Sequence, residues 1–328
     1  MLDRRGAIAA LGSAIAGAPI RQVAAAARGY DGPEDLYGAL RSQPAEHVVV
    51  DGGLIDLVFA DGAPGLDRGL VQSWLTQAID SVSGYFGCFP VARYGLLVLA
   101  EPGDRVGHAT TFGYAGPATR IHVGVGAKWP AFARDWVLVH ELLHAALPNL
   151  PRRALWLQEG NATWLEPVLR ARAGHLPESE IWRQSILGLT RGRPGPADGG
   201  LDGTLDHERL YWGGATFWLL AEIAIAQATD GQRSLRDAVR AISRESGGNS
   251  VVWTPERMMS VGDAATSSDV FGKLYTRFAY ERVDTDPAAL FARLGVSLRD
   301  GQVDFDERAP LAALRRCIVG RNRKGGAA

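Results

Sequence analysis

The hydrophobic pattern divides the chain into a first part with strands and a later part with helices only. Residues 46–65 are rich in β-branched side chains and alternate on either side of Asp51-Gly52-Gly53, which predicts a β-hairpin. Two further apolar runs are short and bounded by glycine or proline, as strands of a half-buried sheet are. A longer segment has apolar residues at helical spacing and ends at Gly87. The predicted strands are 94–101 and 119–127, and the predicted helix is 66–87.

Prolines mark the ends of the helices predicted in the middle of the chain. Pro130 suits the first turn of a single helix over residues 131–147, and Pro148 lies just past its end. A second helix over 152–166 is expected to stop before Pro167, which has no backbone N–H to continue it. Beyond these, the pattern predicts a long loop rich in glycine, proline and aspartate at 191–208, and helices at 178–190, 210–229, 231–246, 268–283, 286–295 and 308–319.

Strands mixed with helices, followed by helices alone, predict an α+β fold. The expected units are a signal peptide (1–27), an N-terminal α+β part (28–128), central helices with their loop (129–209), a C-terminal helical domain (210–318) and a polar tail (319–328).

The charge balance argues against nucleic acid or an anionic membrane as a partner. The 328 residues include 35 basic and 36 acidic side chains, for a net charge of −1, so no excess of basic side chains is available to bind polyanions. The most apolar stretch after residue 27 covers residues 215–229, and it is too short to span a bilayer and contains Glu222. We therefore expect no stable membrane insertion of the mature protein.

The N-terminus has the pattern of a signal peptide. Arg4 and Arg5 precede a mildly apolar Ala/Gly/Ile/Leu stretch and a run of small residues that ends near Ala27. The paired arginines resemble a twin-arginine signal, although the following residues are smaller than usual, so the general secretory route stays open. An amphipathic helix is the alternative. Export to the periplasm or beyond would permit a disulfide between Cys88 and Cys317, but two separate buried thiols fit the sequence as well.

The helix predicted at 131–147 carries the motif His-Glu-Leu-Leu-His. Side chains on an α-helix advance by about 100° per residue, so His140 and His144 share one face and Glu141 lies beside them. Leucines occupy the other faces, and a buried polar group without a partner costs about 1–3 kcal/mol. Zn²⁺ would satisfy both imidazoles, with Glu141 placed to act as a general base. The simpler role for Glu141 is that of a salt-bridge partner.

Glu159 is the candidate for the third protein ligand. Fourteen residues separate it from His144, enough for a turn that lays the second helix beside the first. Gly160 costs roughly 1 kcal/mol inside a helix, which we interpret as allowing the backbone to approach the metal closely. Thr163 and Glu166 follow on the face of Glu159, where either could hydrogen-bond the second nitrogen of a histidine.

These motifs resemble the gluzincin zinc metallopeptidases, the clan of thermolysin, aminopeptidase N and glycyl aminopeptidase. His-Glu-x-x-His is followed here by Trp-Leu-Gln-Glu-Gly, which is similar to the last two branches, and Tyr-Trp-Gly-Gly-Ala from Tyr211 resembles the Tyr-x-x-Gly-Ala that opens a helix there. Over residues 90–230 the resemblance implies a thermolysin-like catalytic domain, with a mixed sheet and active-site helices, and a helical C-terminal domain. It also implies that His140, His144 and Glu159 bind Zn²⁺ and that Tyr211 stabilises the oxyanion.

Two departures from those branches concern substrate specificity. The gap before Glu159 is shorter than in aminopeptidase N relatives. More importantly, the Gly-x-Met-Glu-Asn segment that holds the free amine of the substrate in those aminopeptidases is missing, and residues 107–126 stand in its place. Exopeptidase specificity is therefore not implied.

The sequence predicts an exported zinc metallopeptidase that acts on peptides or proteins, with Glu141 as the general base. A non-catalytic zinc-containing binding or scaffold protein is the main alternative, because the amine-anchoring segment is missing. A metal-dependent hydrolase of non-peptide amides or esters would use the same residues. The motifs do not distinguish endopeptidase from exopeptidase activity, nor do they indicate the oligomeric state.

Two other features of the sequence, at Asn161 and His207, are predicted to have no functional role. The Asn-Ala-Thr sequence from Asn161 fits a glycosylation acceptor, but on the metal-binding helix it should be inaccessible. His207 lies four residues before Tyr211 and could reach the same pocket if the helix begins there. A loop histidine flanked by acidic residues is more often solvated, and we predict a surface residue.

Overall fold

The computed structural model describes residues 29–320. The predicted signal peptide and the tail beyond residue 320 lie outside the described residues. Within the described part, no helix combines the length and the apolar character needed to cross a membrane.

A five-stranded mixed sheet lies within the first third of the described chain, together with two helices. Its strand order is β1-β2-β3-β5-β4, with β2, β3 and β5 parallel and with antiparallel edge strands β1 and β4. The hairpin predicted around residues 51–53 is confirmed, and Gly52 supplies the positive φ of its turn (+91°). The strands are β1 (Ala45–Val50), β2 (Gly53–Phe59), β3 (Arg93–Glu101), β4 (Val106–Phe112) and β5 (Ala118–Gly124).

Helix α1 packs on one face of this sheet and α2 and α4 pack on the other, and helices make up most of the rest of the described chain. The predicted helix at 66–87 is confirmed as α2, which is capped at its start by Asp67 and ends at Gly87. The helices are α1 (Pro33–Ser42), α2 (Arg68–Phe86), α3 (Trp129–Arg134), α4 (Val137–Ala146), α5 (Leu155–Ala173), α6 (Glu178–Arg191), α7 (Gly214–Ala228), α8 (Leu235–Ser246), α9 (Pro255–Thr266), α10 (Val270–Tyr280), α11 (Pro287–Leu294) and α12 (Ala312–Val319).

The prediction of one continuous helix over 131–147 is wrong. The helix breaks at Asp135, whose backbone is extended and whose carboxylate accepts hydrogen bonds from the backbone N–H groups of Val137 and Leu138. Such a cap satisfies N–H groups that a new helix leaves without partners, so α4 starts independently of α3. Burial raises the pKa of Asp135 to about 6, against the lowering effect of these two backbone hydrogen bonds.

Pro167 does not end the second central helix, contrary to the prediction. Helix α5 runs from Leu155 to Ala173 with Pro167 inside, and it ends at Gly174. An internal proline costs about 3 kcal/mol because it removes one backbone hydrogen bond and clashes with the preceding turn. Residues 160–171 are all buried, and their packing offsets that cost.

The C-terminal region is not entirely helical as predicted, because a hairpin interrupts it. Strands β6 (Val296–Arg299) and β7 (Gln302–Phe305) pair antiparallel around Asp300-Gly301. Both turn residues have positive φ (+48° and +79°), as the Asp-Gly turn of a two-residue hairpin requires. This Asp-Gly turn was not predicted from the sequence, and neither were helices α1 and α9.

Helix α5 occupies the centre of the helical region and sets the position of its neighbours. It packs against α2, α4, α6 and α7, and its Trp156 and Trp164 are almost fully buried. Cys88 and Cys317 are exposed and not bonded to each other, so neither the disulfide nor a pair of buried thiols is observed.

Candidate metal centre and active site

Helices α4 and α5 bring together the three side chains that the sequence analysis selected as metal ligands. Nε2 of His140 lies 3.3 Å from Oε2 of Glu159, and Nε2 of His144 lies 3.5 Å from the same oxygen. Candidate ligand atoms of the three residues all lie within 4.8 Å of one another. The distant glutamate therefore does converge on the imidazole pair, as predicted.

The electrostatics of this trio favour a cation. Burial would raise the pKa of Glu159, but the two histidines outweigh burial and hold that pKa well below its usual value. Burial would also lower the pKa of His144, but the carboxylates of Glu159 and Glu141 raise it to about 9. Glu159 is therefore ionised, its charge favours a proton on His144, and a divalent metal would compete with that proton for the same atoms.

Glu141 lies on the same helix, and its main chain is linked to the sheet through a series of hydroxyl groups. Thr111 on the edge strand β4 donates to the main-chain oxygen of Glu141 at 3.2 Å. Oγ1 of Thr111 is also 2.5 Å from Oγ1 of Thr119, which accepts from the hydroxyl of Tyr94 at 2.5 Å. With Thr111 donating to the helix, Thr119 donates to Thr111, so each of the two threonine hydroxyls accepts one hydrogen bond and donates one. This contact ties β4 to α4 at the candidate base, and the sequence offered no signal for it.

Gly160 allows close contact between two helices, not between backbone and metal as predicted. A methyl group built on Gly160 would lie 2.3 Å from the carbonyl carbon of Gly214 at the start of α7. One built on Gly214 would lie 2.2 Å from the main-chain oxygen of Trp156. Since carbon atoms pack at about 3.5–4.0 Å, only glycine at both positions lets α5 and α7 approach this closely.

This crossing brings Tyr211 close to His140, one of the candidate metal ligands. Tyr211 lies in a π-helical turn, Arg209–Gly213, that leads directly into α7. Its ring is nearly parallel to that of His140, with the ring centroids 6.1 Å apart. π-Helical turns often occur at functional sites because they displace one side chain from the regular helical position.

His207 lies nearer to the site than the sequence analysis expected. The helical conformation begins at this residue, and Asp206 caps it by accepting from the N–H of Arg209 at 2.9 Å. The exposed ring of His207 therefore stacks on Tyr211, with centroids 4.4 Å apart. The predicted surface position of His207 is confirmed. Its ring also contacts Tyr211, which the sequence had left as the alternative.

Thr163 or Glu166 was expected to hydrogen-bond the second nitrogen of a histidine, and among the described residues no such bond is made by Thr163 or reaches Nδ1 of His140. Glu166 is fully buried and accepts from Arg170 at 2.7 Å, while Oγ1 of Thr163 and Nδ1 of His140 have no hydrogen-bond partner there. The pairing of Glu166 with Arg170, four residues along the same helix, was not predicted from the sequence. Asn161 is 1% exposed, which confirms that the glycosylation motif is inaccessible.

Comparison with known proteins finds similarity in structure rather than in sequence. No family model and no curated relative matches the sequence. An aminopeptidase N family protein from Idiomarina loihiensis aligns with a TM-score of 0.59 and 14% identity, over 78% of this chain and 50% of that one. A mutant of a two-domain M1 zinc metallopeptidase bound to L-arginine aligns with a TM-score of 0.50 and 15% identity, over 74% and 53% of the two chains.

This chain thus spans about half the length of the solved structures that it resembles. At such low identity the similarity concerns the fold alone. The predicted α+β class with a helical C-terminal part is confirmed, and the described residues adopt the fold of M1 zinc metallopeptidases.

Proposed function

We propose that this protein is an exported zinc-dependent peptidase. The observation that carries the proposal is the convergence of His140, His144 and Glu159 from two helices, with Glu141 beside the histidines on α4. The N-terminal sequence supports export, and the fold shared with M1 zinc metallopeptidases supports peptide-bond hydrolysis.

The donor set fits zinc. Two imidazole nitrogens and one carboxylate oxygen are the protein ligands of many catalytic zinc sites, which keep a further position open. The side chains of His144 and Glu159 are each 15% exposed, so a small molecule can approach them from solvent. Bound Zn²⁺ would supply Lewis acidity, which lowers the pKa of water and polarises the scissile carbonyl.

Glu141 would move the proton. Its carboxylate is buried on the same helix, and its charge acts on the neighbouring His144. A carboxylate in this position accepts a proton from the attacking water and then delivers it to the nitrogen of the leaving amine. Glu159 cannot take this role as well, because its oxygen faces both histidines.

Tyr211 would donate its hydroxyl hydrogen to the oxyanion that forms on the scissile carbonyl. Its ring is nearly parallel to that of His140, and the ring of His207 stacks on it and restrains it. Donors that are already oriented stabilise the developing negative charge more than the ground-state carbonyl.

The Tyr211→Phe variant is expected to lower kcat about 10²–10³-fold with little change in KM, because the lost bond forms mainly in the transition state. Steady-state kinetics on a cleaved peptide would measure both constants. The matched control is Tyr280→Phe, since Tyr280 is 60% exposed at the end of α10 and its variant should keep full activity. A large rise in KM with kcat preserved would show that Tyr211 binds substrate instead.

Metal analysis and a peptide-library digest of the purified protein test the proposal together. We expect about one zinc per chain, cleavage that stops on chelation, and recovery on adding zinc. Glu159→Gln should lose most of the zinc and the activity with it. Zinc without peptide cleavage would support the scaffold alternative, whereas turnover of non-peptide esters or amides only would support the third possibility. Cleavage by the zinc-free protein would overturn the proposal.

A further inference from the structure

A small cavity lies beside His144 of the candidate metal centre, between α4, α5 and α9. It has about 10 Å³ of space for a water centre, which is room for about one water molecule. Its apolar lining includes Leu143, Leu147 and Met258, and its polar lining is confined to His144, Gln158 and Asn161. One of the metal-binding histidines therefore shares a water-sized space with two amides.

Asn161 is the polar group in this cavity that the fold leaves without a partner. It is 1% exposed, and neither its Nδ2 nor its Oδ1 has a hydrogen-bond partner among the described residues. Burying an amide in this way costs free energy that leucine would not cost at the same position. Polar side chains kept at such a cost are usually paired with an ordered water or serve a functional site.

Gln158 is engaged elsewhere. Its Oε1 accepts from the N–H of Leu150 at 3.3 Å, and its Nε2 donates to Oδ1 of Asn149 at 3.4 Å. These contacts hold the loop between α4 and α5. Asn161 is therefore the lining amide whose two polar atoms have no hydrogen-bond partner among the described residues.

His144 needs a second contact if it binds a metal. Its Nε2 faces Glu159, so Nδ1 is the nitrogen that remains for another partner. The second ring N–H of a metal-binding histidine is almost always bonded to an acceptor, which fixes the tautomer and the ring orientation. Among the residues that the structure describes, Thr163 makes no hydrogen bond to this ring, and the carboxylate of Glu166 accepts from Arg170.

We infer that Asn161 positions His144 for metal binding, through a water molecule held in this cavity. The Oδ1 of Asn161 accepts from that water, and the water accepts from Nδ1–H of His144. The inference rests on the proposed zinc function and adds a positioning residue to it. It also gives a reason for a buried asparagine whose sequence context suggested only glycosylation.

Zinc affinity of the full-length protein, measured by chelator competition, tests this role without depending on catalysis. Asn161→Leu should bind zinc about 10–100-fold more weakly, since loss of an orienting partner has effects of this size. The melting temperature of the zinc-free variant should equal or exceed that of the wild type, because the buried amide is gone. A merely structural role would lower the melting temperature instead.

Two further variants complete the comparison. Asn161→Asp keeps an acceptor at this position and should stay within about three-fold of wild-type zinc affinity. Thr163→Val removes another buried hydroxyl from α5 that lacks a partner but does not line the cavity, and it should also stay within about three-fold. A crystal structure of the zinc-loaded wild type should contain a water within hydrogen-bond distance of both Asn161 and His144.

The results distinguish a failure of this inference from a failure of the proposed function. If the wild type binds zinc and Asn161→Leu binds it equally well, the inference is wrong and the proposed function stands. The same holds if the zinc-loaded crystal structure has no water between the two side chains. If the wild type binds no zinc, the proposed function and this inference both fail. Should Asn161→Leu not fold, the crystal structure decides.

Discussion

Glu141→Gln is expected to lower kcat about 10²–10⁴-fold while the zinc content stays at the wild-type level. Glutamine has nearly the shape of glutamate, and the main-chain contact from Thr111 does not depend on the side chain. An amide cannot accept the proton of the attacking water, so the chemical step loses its base. Metal analysis and single-turnover cleavage of one peptide measure the two quantities separately.

A carboxyl-to-amide change far from the site controls for general effects of lost charge. Glu34 is exposed in the first turn of α1, and Glu34→Gln should retain full activity and zinc. If Glu141→Gln keeps more than about a tenth of wild-type activity, Glu141 is not the general base. If instead the variant loses its zinc, Glu141 belongs to the metal-binding set and the division of roles among the glutamates is wrong.

Gly160→Ala is expected to destabilise the protein by about 2–3 kcal/mol and to lower activity as well. The added methyl group would lie 2.3 Å from the main chain of Gly214, so α5 and α7 must separate. The main chain of Gly214 cannot rotate away as a side chain could. The clash therefore raises the free energy of the folded state. Because the same crossing positions Tyr211 beside His140, a shift of α7 moves the tyrosine away from the site.

The matched control for this variant is Gly38→Ala in α1. No atom lies within 4 Å of a methyl group at Gly38, so alanine should stabilise the protein by about 0.5–1 kcal/mol through its helix preference. Urea unfolding measures both variants under identical conditions. Equal midpoints for Gly160→Ala and the wild type would contradict the role assigned to the glycine contact.

The candidate metal ligands could be predicted from the sequence because most of their geometry is local. The spacing of four residues places His140 and His144 on one face of any helix that contains them. Glu159 needed one additional assumption, a turn short enough to return the second helix alongside the first. The resemblance to gluzincins supplied Tyr211, and the structure brings its ring beside His140.

Other expectations failed where a side chain had more than one plausible partner. Glu166 lies on the predicted helix, but Arg170 is four residues further on and neutralises it. Asp135 appeared to be one residue within a helix, yet its carboxylate caps a new helix instead. Sequence spacing shows which groups share a face, whereas the choice between partners depends on what packs against that face.

By itself, the sequence determined the α+β class, the order of most helices and strands, and the identity of the histidine and glutamate cluster. These follow from hydrophobic periodicity and helical spacing, which act over a few turns of chain. Only the tertiary structure showed that Gly160 lets α5 and α7 pack closely and that the ring of Tyr211 lies near that of His140. It also showed that Asn161 and His144 line the same cavity. Each of these depends on the distance between helices far apart in the chain, and close packing sets that distance.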